Sequence, residues 1–420
     1  MIDAHIKGYP LLAGRSNPVN IGEKGWNVLR QDLPLPIAVL KESALSANSK
    51  WMSDFSKRSD FSLAPHGKTT MCPQIFQRQL DDGAWAITLS TAHQVAVARD
   101  FGVNRVLLAN QIMDPQFLAY LYHTLLADPS FEFYCLIDSI EGAQFLDQWL
   151  THLGGKVRLQ VLIEVGVPGG RTGVRDAESV EKLAQFAISC SNLVLRGIEG
   201  FEGLVPGACA ANVHPVREYL DKVIAAVRKG LVSGWFTGEA ILSLGGSAYF
   251  DVVQDSVASL ARERLRIVLR SGCYIAQDNH LYEEHFRAIR ERSALANSLD
   301  GGLQPALEVL AYVQSIPEPG VGVLAVGRRD LSYDNHLPIP LRWHRPGSSV
   351  EIPRRFPPGT DVKEIYDQHV TMNLPPGSTV ATGDIVALGI SHPCTTFDKW
   401  RYLFGVDESY SVVSAYETFF

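Results

Sequence analysis

Over the first 300 residues, short apolar runs alternate with amphipathic stretches, which predicts a repeated strand and helix pattern. Runs rich in β-branched and aromatic residues between turn residues are typical of buried strands. Eight strands are predicted, at residues 61–64, 84–89, 105–109, 132–137, 158–164, 194–200, 240–244 and 266–269. Positions of helical period predict helices at 72–82, 92–101, 115–127, 140–153, 176–189 and 213–229.

Eight strand–helix units in about 230 residues predict an α/β fold of the closed (β/α)8 barrel type. An open doubly wound sheet is the alternative. After residue 308 the pattern changes to connections rich in Pro and Gly and to short alternating strands, predicted at 321–326, 378–381, 384–390 and 411–415. We therefore assign residues 34–300 to the barrel, and residues 1–33 with 301–420 to a β-rich domain.

Composition narrows the class of protein and of partner. A chain of 420 residues is long enough for two domains, and its net charge of −7 without a basic cluster argues against nucleic acid or an anionic membrane as partner. No apolar run approaches the length of a membrane span, and the six scattered cysteines do not resemble a disulfide framework. A cytoplasmic protein with reduced thiols and a small-molecule partner is expected.

Two metal-capable side chains, His392 and Cys394, stand two residues apart near the C-terminus. If residues 386–392 form a strand, side chains at i and i+2 leave the same face, so both could reach one ion. An imidazole and a thiolate suit zinc. Two protein ligands leave positions open for water or substrate, as a Lewis acid requires. The alternative is a buried cysteine beside a hydrogen-bonded histidine.

Lys68 directly follows the first predicted strand, in the segment Pro65-His66-Gly67-Lys68-Thr69. Side chains at this end of a barrel strand line the mouth where the loops converge. Partial desolvation there would lower the lysine pKa and allow a Schiff base with an aldehyde. The alternative is an ordinary solvated surface lysine.

Glycine-containing turns follow the seventh and eighth predicted strands, at Gly245-Gly246-Ser247 and at Gly272-Cys273-Tyr274. Backbone N–H groups in such turns bind phosphate in many barrels, although tight turns alone also use glycine. Arg171 lies just past the fifth strand, where its guanidinium could hold a carboxylate or a phenolate oxygen. A surface loop arginine is the alternative.

These segments, in this order, resemble the metal-dependent D-serine dehydratase and D-threonine aldolase family. That family belongs to the fold-type III, alanine-racemase-like enzymes that use pyridoxal 5'-phosphate. The resemblance implies that Lys68 carries the cofactor, that Arg171 lies near its phenolic oxygen, and that His392 and Cys394 bind Zn²⁺ or another divalent ion. It also implies a cofactor-binding set made of His66, Lys68, Arg171, Gly245, Gly246, Ser247, Gly272, Cys273, Tyr274 and Asp278.

Within the family, a His-x-Cys pair resembles the dehydratases, whereas aldolases have His-x-Asp, whose oxygen ligand suits harder metals. The resemblance thus implies dehydration and deamination of a D-β-hydroxy amino acid, with D-serine giving pyruvate and ammonia. Retro-aldol cleavage to glycine and an aldehyde is the first alternative, and a racemase or a non-catalytic pyridoxal-phosphate-binding protein the second. A homodimer is expected from the family.

Two departures from the family pattern stand out. Phe201 replaces a hydroxyl-bearing aromatic residue that would contact the pyridine ring, which leaves the partner of the ring nitrogen open. Thr70 and Met71 replace a His-Lys pair after the cofactor lysine, which bears on substrate preference.

Overall fold

The computed structural model describes residues 1–348 and 353–420, which form two β-sheets with flanking helices. Strands are numbered β1 to β18 and helices α1 to α11 in chain order. Eight parallel strands form the first sheet: β2 (Ser62–Leu63), β3 (Ile87–Leu89), β4 (Arg105–Leu108), β5 (Glu132–Ile137), β6 (Leu159–Val165), β7 (Leu193–Gly200), β8 (Ala240–Leu244) and β9 (Leu265–Leu269).

This sheet runs in the order β2-β9-β8-β7-β6-β5-β4-β3, and a parallel bridge between His66 and Thr88 joins its two ends. The predicted barrel is confirmed. The ends of its eight strands differ from the predicted ends by three residues or fewer. The interior is filled by small and branched side chains together with one tyrosine, as the taper of such a barrel requires. They are Ala64, Ala86, Leu107, Tyr134, Leu136, Leu162, Ile241 and Val268.

Helices surround the barrel and cover its outer, apolar face. They are α1 (Glu42–Arg58), α2 (Pro73–Asp81), α3 (Ala92–Asp100), α4 (Pro115–Ala127), α5 (Ile140–His152), α6 (Ala177–Ser189), α7 (His214–Val232), α8 (Phe250–Val257), α9 (Leu281–Arg292), α10 (Ala294–Ser298) and, in the second domain, the single turn α11 (Cys394–Phe397). Side chains of Thr91, Asp114, Ser139 and Asp176 cap α3 to α6 at their N-termini, which fixes where these helices begin. None of the helices in the described ranges is long and apolar enough to cross a membrane.

The second sheet is mostly antiparallel and has ten strands. They are β1 (Ile37–Lys41), β10 (Leu307–Glu318), β11 (Val321–Leu324), β12 (Ile339–His344), β13 (Arg354–Arg355), β14 (Asp361–Ile365), β15 (Val370–Asn373), β16 (Ile385–Gly389), β17 (Tyr402–Val406) and β18 (Val412–Glu417). The predicted β-rich second domain is thus observed.

Two predictions about individual strands are wrong. Residues 378–381 form no strand, because the chain turns after Pro375-Pro376-Gly377 and again before Asp384. The strand predicted through residue 392 ends at Gly389. In addition β1, which lies inside the range 34–300 assigned to the barrel, pairs with β10 and β17 of the second sheet.

Candidate active site at the mouth of the barrel

Lys68 lies on a single 3-10 turn, Gly67–Thr69, directly after β2 at the carboxyl end of the barrel. A Cβ atom at Gly67 would lie 2.8 Å from the Phe76 ring and 2.9 Å from Ile87, so only glycine lets the turn sit this deep. The turn is thereby fixed against the barrel while the Lys68 side chain stays exposed in the single chain. The placement at the barrel mouth is as predicted.

His66 precedes this turn and is surrounded by groups that favour its neutral form. Its Nε2 lies 3.3 Å from the Ser90 hydroxyl, and its Nδ1 is buried without a hydrogen-bond partner among the described residues. Burial, and next the positive charges of Lys68 and Arg270, hold the pKa of His66 well below its usual range. The unpaired Nδ1 of a neutral His66 can accept a hydrogen bond from a bound group or, in the other tautomer, donate one to it.

The turn after β9 offers free backbone donors. Residues 271–278 are buried, yet the N–H groups of Gly272, Cys273 and Tyr274 have no acceptor within residues 1–348 and 353–420. Buried N–H groups are almost always paired, so three together at a helical turn are suited to an anion such as a phosphate. A Cβ at Gly272 would lie 2.5 Å from the His66 carbonyl oxygen, so glycine is needed to bring this turn beside the lysine turn.

The turn after β8 is arranged differently. The N–H groups of Gly245 and Gly246 donate to the Glu202 carboxylate at 3.2 and 2.6 Å. Glu202 is completely buried, and burial raises its pKa although these donors oppose the shift. A carboxylate therefore occupies two donors predicted for phosphate. Ser247, the next residue, is half-buried and lies beside them.

Tyr274 and Asp278 were predicted to bind the cofactor, but their side chains form hydrogen bonds within the protein. The Tyr274 hydroxyl accepts a hydrogen bond from Gln79 at 3.1 Å, away from the mouth. Asp278 accepts from the N–H groups of His280 and Tyr282, both at 2.9 Å, and so caps the start of α9. Only the backbone of Tyr274 remains available to a cofactor.

Arg171 lies in the loop after β6, exposed, with its guanidinium 5.5 Å from the centre of the Phe201 ring. The loop is held from inside by Arg175, whose guanidinium donates to the carbonyl oxygens of Thr172 and Gly173, each at 2.7 Å. Phe201 also lies over Gly246, so Arg171, Phe201 and the β8 turn face the same space.

A buried ion pair at the carboxyl ends of β7 and β9 was not predicted from the sequence. Arg270, just after β9, donates to Glu199 of β7 and to the Gly200 carbonyl oxygen at 2.9 Å. Burial raises the pKa of Glu199 to about 7, although Arg270 opposes the shift. Arg270 Nε, Glu199 Oε2 and the Ser243 hydroxyl are buried without partners among the described residues. The signal in the sequence was a charged residue at the end of an apolar strand.

His392 and Cys394 lie where β16 passes into the single helical turn α11, which faces the lysine turn. The expected i, i+2 strand geometry does not apply, because the strand has ended and Pro393 begins the turn. His392 Nδ1 bonds Asp334 Oδ2 at 2.5 Å, which leaves Nε2 as the nitrogen for a metal. Burial alone would raise the pKa of Asp334. The hydrogen bonds from His392 and Thr395 outweigh burial, so the pKa is lower than usual.

Sulfur atoms converge next to Lys68. Cys394 Sγ lies 3.7 Å from Cys273 Sγ, and the neighbouring Thr69 hydroxyl lies 3.5 Å from Cys394 and 3.7 Å from Cys273. All six cysteines are free. Within the parts of the chain that the structure describes, no three His, Cys, Asp or Glu side chains are already grouped as a metal site.

Comparison with known proteins finds relatives of this chain. Residues 306–406 match the family model described as "Putative serine dehydratase domain". A D-threonine aldolase from Arthrobacter sp. is 26% identical over 368 residues, which cover 86% of each chain. These matches agree with the resemblance found in the sequence. A 3-hydroxy-D-aspartate aldolase from Paracoccus denitrificans (strain Pd 1222) is 23% identical, over 73% of this chain and 76% of that protein.

Solved structures confirm the fold. A D-threonine aldolase from Filomicrobium marinum superposes with a TM-score of 0.74 at 21% identity, covering 94% of this chain and 97% of that one. The D-threo-3-hydroxyaspartate dehydratase from Delftia sp. HT23 gives 0.70 at 18% identity, covering 94% and 99%. The chain therefore shares the fold of these enzymes, a barrel followed by a β-rich domain.

Proposed function

We propose that this protein is a pyridoxal-phosphate- and metal-dependent lyase that eliminates water from a D-β-hydroxy amino acid, with D-serine as the first candidate substrate. The observation that carries the proposal is the convergence of Lys68, the free N–H groups at 272–274 and the His392 and Cys394 side chains at one end of the barrel. D-Serine would give pyruvate and ammonia.

The residues present fit pyridoxal phosphate. Lys68 supplies the amine, the N–H groups of residues 272–274 would hold the phosphate, and the exposed guanidinium of Arg171 faces the same space. The unpaired polar atoms of His66, Ser243 and Arg270 lie beneath and can accept a polar ring. When bound, the cofactor supplies a conjugated ring that stabilises negative charge at the substrate α-carbon.

Arg270 and Glu199 are candidate partners of the ring nitrogen, which Phe201 leaves without a hydroxyl. Phe201 carries no hydroxyl, and the polar groups below it are the buried guanidinium of Arg270 and the carboxyl of Glu199. The unpaired Arg270 Nε–H would be the donor toward the ring nitrogen. A fixed positive charge there disfavours protonation of that nitrogen, and Glu199 keeps Arg270 in place.

His392 and Cys394 fit a divalent metal. Asp334 directs the His392 Nε2 lone pair outward, in the carboxylate–histidine arrangement common around metals, and a thiolate beside an imidazole favours zinc. A metal bound there supplies a Lewis acid for the substrate β-hydroxyl. Thr69, adjacent to Lys68, contacts Cys394, so the β-oxygen would be held within reach of the lysine amine.

The lysine amine is then the base. With substrate and cofactor bound, the Lys68 amine would hold the proton taken from the α-carbon, and the β-hydroxyl would leave on the side of His392 and Cys394. The exposure of Lys68 in the single chain means that water must be excluded by substrate or by a second subunit. This agrees with the homodimer expected from the family, which we propose here as well.

The products test the proposal. Protein loaded with pyridoxal phosphate and zinc is incubated with D-serine, D-threonine and their L-isomers, and 2-oxo acid, ammonia, glycine and aldehyde are measured. We expect 2-oxo acid and ammonia in equal amounts from D-isomers alone, loss of product with a chelator, and loss of both product and visible cofactor absorption in Lys68→Ala. Lys156→Ala, at an exposed lysine in the loop between α5 and β6, is the matched control.

An aldolase is the second candidate, because the curated relatives reported above are aldolases by name. Retro-aldol cleavage would need a base at the β-hydroxyl instead of at the α-carbon. Glycine and an aldehyde in the same assay would favour it over elimination.

A further inference from the structure

We propose that Cys273 is a third protein ligand of the metal held by His392 and Cys394. The inference rests on the proposed metal site and makes it more specific. It assigns a set of two thiolates and one imidazole, with the fourth position left for the substrate oxygen or water.

The distance between the sulfur atoms is the first support. Two Zn–S bonds of about 2.3 Å that meet at the tetrahedral angle place their sulfur atoms about 3.8 Å apart. Cys273 Sγ and Cys394 Sγ lie 3.7 Å apart. A disulfide would need about 2.0 Å, so the two sulfur atoms are not covalently bonded, and their separation matches that of two ligands of one ion.

The surroundings of Cys273 are the second support. Its side chain is buried, and its sulfur is contacted by the hydroxyls of Thr69 and Tyr282 as well as by Cys394. By contrast Cys135, which is buried within β5, lies in the apolar core. Polar contacts around a buried sulfur suit a thiolate better than a packed thiol.

The backbone and the side chain of Cys273 serve different groups. Its N–H belongs to the free donors at 272–274, whereas its sulfur points to α11 and the lysine turn. One residue would therefore set the cofactor phosphate and the metal at a fixed separation. The third donor is His392, whose Nε2 is free, and its ring has to move onto the sulfur pair when the ion binds.

The donor set has a consequence for metal choice. A site with two thiolates selects zinc over magnesium and manganese, which prefer oxygen ligands. A tetrahedral site with two cysteines, one histidine and one open position is also a known arrangement for catalytic zinc. Mg²⁺ and Mn²⁺ should therefore fail to replace Zn²⁺ in this protein.

Zinc X-ray absorption on the wild-type holoenzyme tests the proposal without any variant, because it counts sulfur atoms at bonding distance. We expect two. Cobalt substitution extends the test: the sulfur-to-cobalt charge-transfer absorbance should fall by about half in Cys273→Ser and in Cys394→Ser, and stay unchanged in the control Cys190→Ser, a cysteine at the end of α6.

The outcomes separate this inference from the proposed function. One sulfur at the zinc, with a full cobalt band and unchanged zinc affinity in Cys273→Ser, would overturn the role of Cys273 and leave the His392 and Cys394 site standing. No sulfur at all, or no stoichiometric metal in wild type, would overturn the proposed metal site itself. Equal binding of Mg²⁺ in place of Zn²⁺ would also count against Cys273.

Discussion

At the scale of single residues, Asp334 decides which nitrogen of His392 can bind a metal. Its carboxylate lies on Nδ1, so the lone pair of Nε2 is available to an ion. Thr395 donates to the other carboxylate oxygen at 2.9 Å and holds Asp334 in this position. Such outer partners orient metal-binding histidines and raise their basicity.

We expect Asp334→Asn to weaken zinc binding about 10- to 100-fold, because the amide lacks the charge that fixes the imidazole. Competition with a chromophoric chelator measures the change. Asp398→Asn, an exposed carboxylate in the same segment, should leave the affinity unaltered. Wild-type affinity in Asp334→Asn would show that His392 is not a ligand.

Also at this scale, Glu202 holds two N–H groups that were predicted to bind phosphate. We expect Glu202→Gln to keep one acceptor at this turn but to remove the negative charge next to the cofactor site. The affinity for pyridoxal phosphate should rise, as measured by equilibrium dialysis, since like charges repel at short range. Lower affinity would mean that Glu202 supports the cofactor directly.

At the scale of elements, Asp278 ties the turn after β9 to the start of α9. Its oxygen accepts three backbone N–H groups, of which Glu283 at 3.4 Å is the weakest donor. Burial raises the pKa of Asp278 to about 7 in spite of these bonds. The turn that would hold the phosphate is thus coupled to a titrating cap.

The raised pKa of Asp278 makes the stability of the protein depend on pH. The folded protein binds the Asp278 proton more tightly than the unfolded chain, whose carboxyl titrates near about 4, so wild-type stability falls as the pH rises from about 4 to about 7. The side chain at position 278 of Asp278→Asn does not titrate. The free energy of unfolding of this variant, measured in urea, should therefore rise relative to that of wild type between about pH 4 and about pH 7. Asp176→Asn is the comparison, because the Ser179 N–H lowers the pKa of the exposed cap Asp176. The stability of this variant relative to wild type should fall as the pH rises, and at lower pH values than for Asp278.

The barrel strands were predictable because they are covered on both faces. Strands such as β5 and β8 are continuous apolar runs, which stand out from the amphipathic helices between them. Strands of the second sheet were harder. In β14 only Val362 and Ile365 are buried, and β12 contains Pro340, so neither has a regular alternation.

The residues of the candidate site could be predicted where a short segment of sequence identifies them. They could not be predicted where they depend on contacts between distant segments. Lys68 and the glycine turns stand at strand ends, which fixes their location once the barrel is known. The contact of Cys273 with Cys394, 121 residues apart, has no trace in the sequence. The same holds for Glu202 at the β8 turn.

At the scale of the whole molecule, Glu308 of β10 joins strands and turns of the second sheet. Its carboxylate is buried and accepts hydrogen bonds from Arg342 of β12 at 2.6 Å and from the Tyr410 hydroxyl at 2.7 Å. Lys41 of β1 lies 4.0 Å away. This sheet carries His392 and Cys394 toward the barrel, so its stability bears on the site.

Glu308→Ala should lower the stability of the protein by about 3 to 5 kcal/mol, because it leaves Lys41 and Arg342 without their buried partner. The urea midpoint and the melting temperature measure this loss. Glu318→Ala, at the exposed end of the same strand, should change neither. Equal stability of both variants would contradict the role of Glu308.

Elimination removes the α-proton of the substrate, whereas retro-aldol cleavage keeps it, so isotopic labelling at the α-carbon separates the two reactions. The holoenzyme is incubated with D-serine and with D-threonine that carry deuterium at the α-carbon, and the products are examined by mass spectrometry. We expect slower turnover than with the unlabelled substrates, release of the deuterium to water, and 2-oxo acid as product. Glycine that retains one deuterium atom would show that the Cα–Cβ bond breaks instead, and would contradict the account.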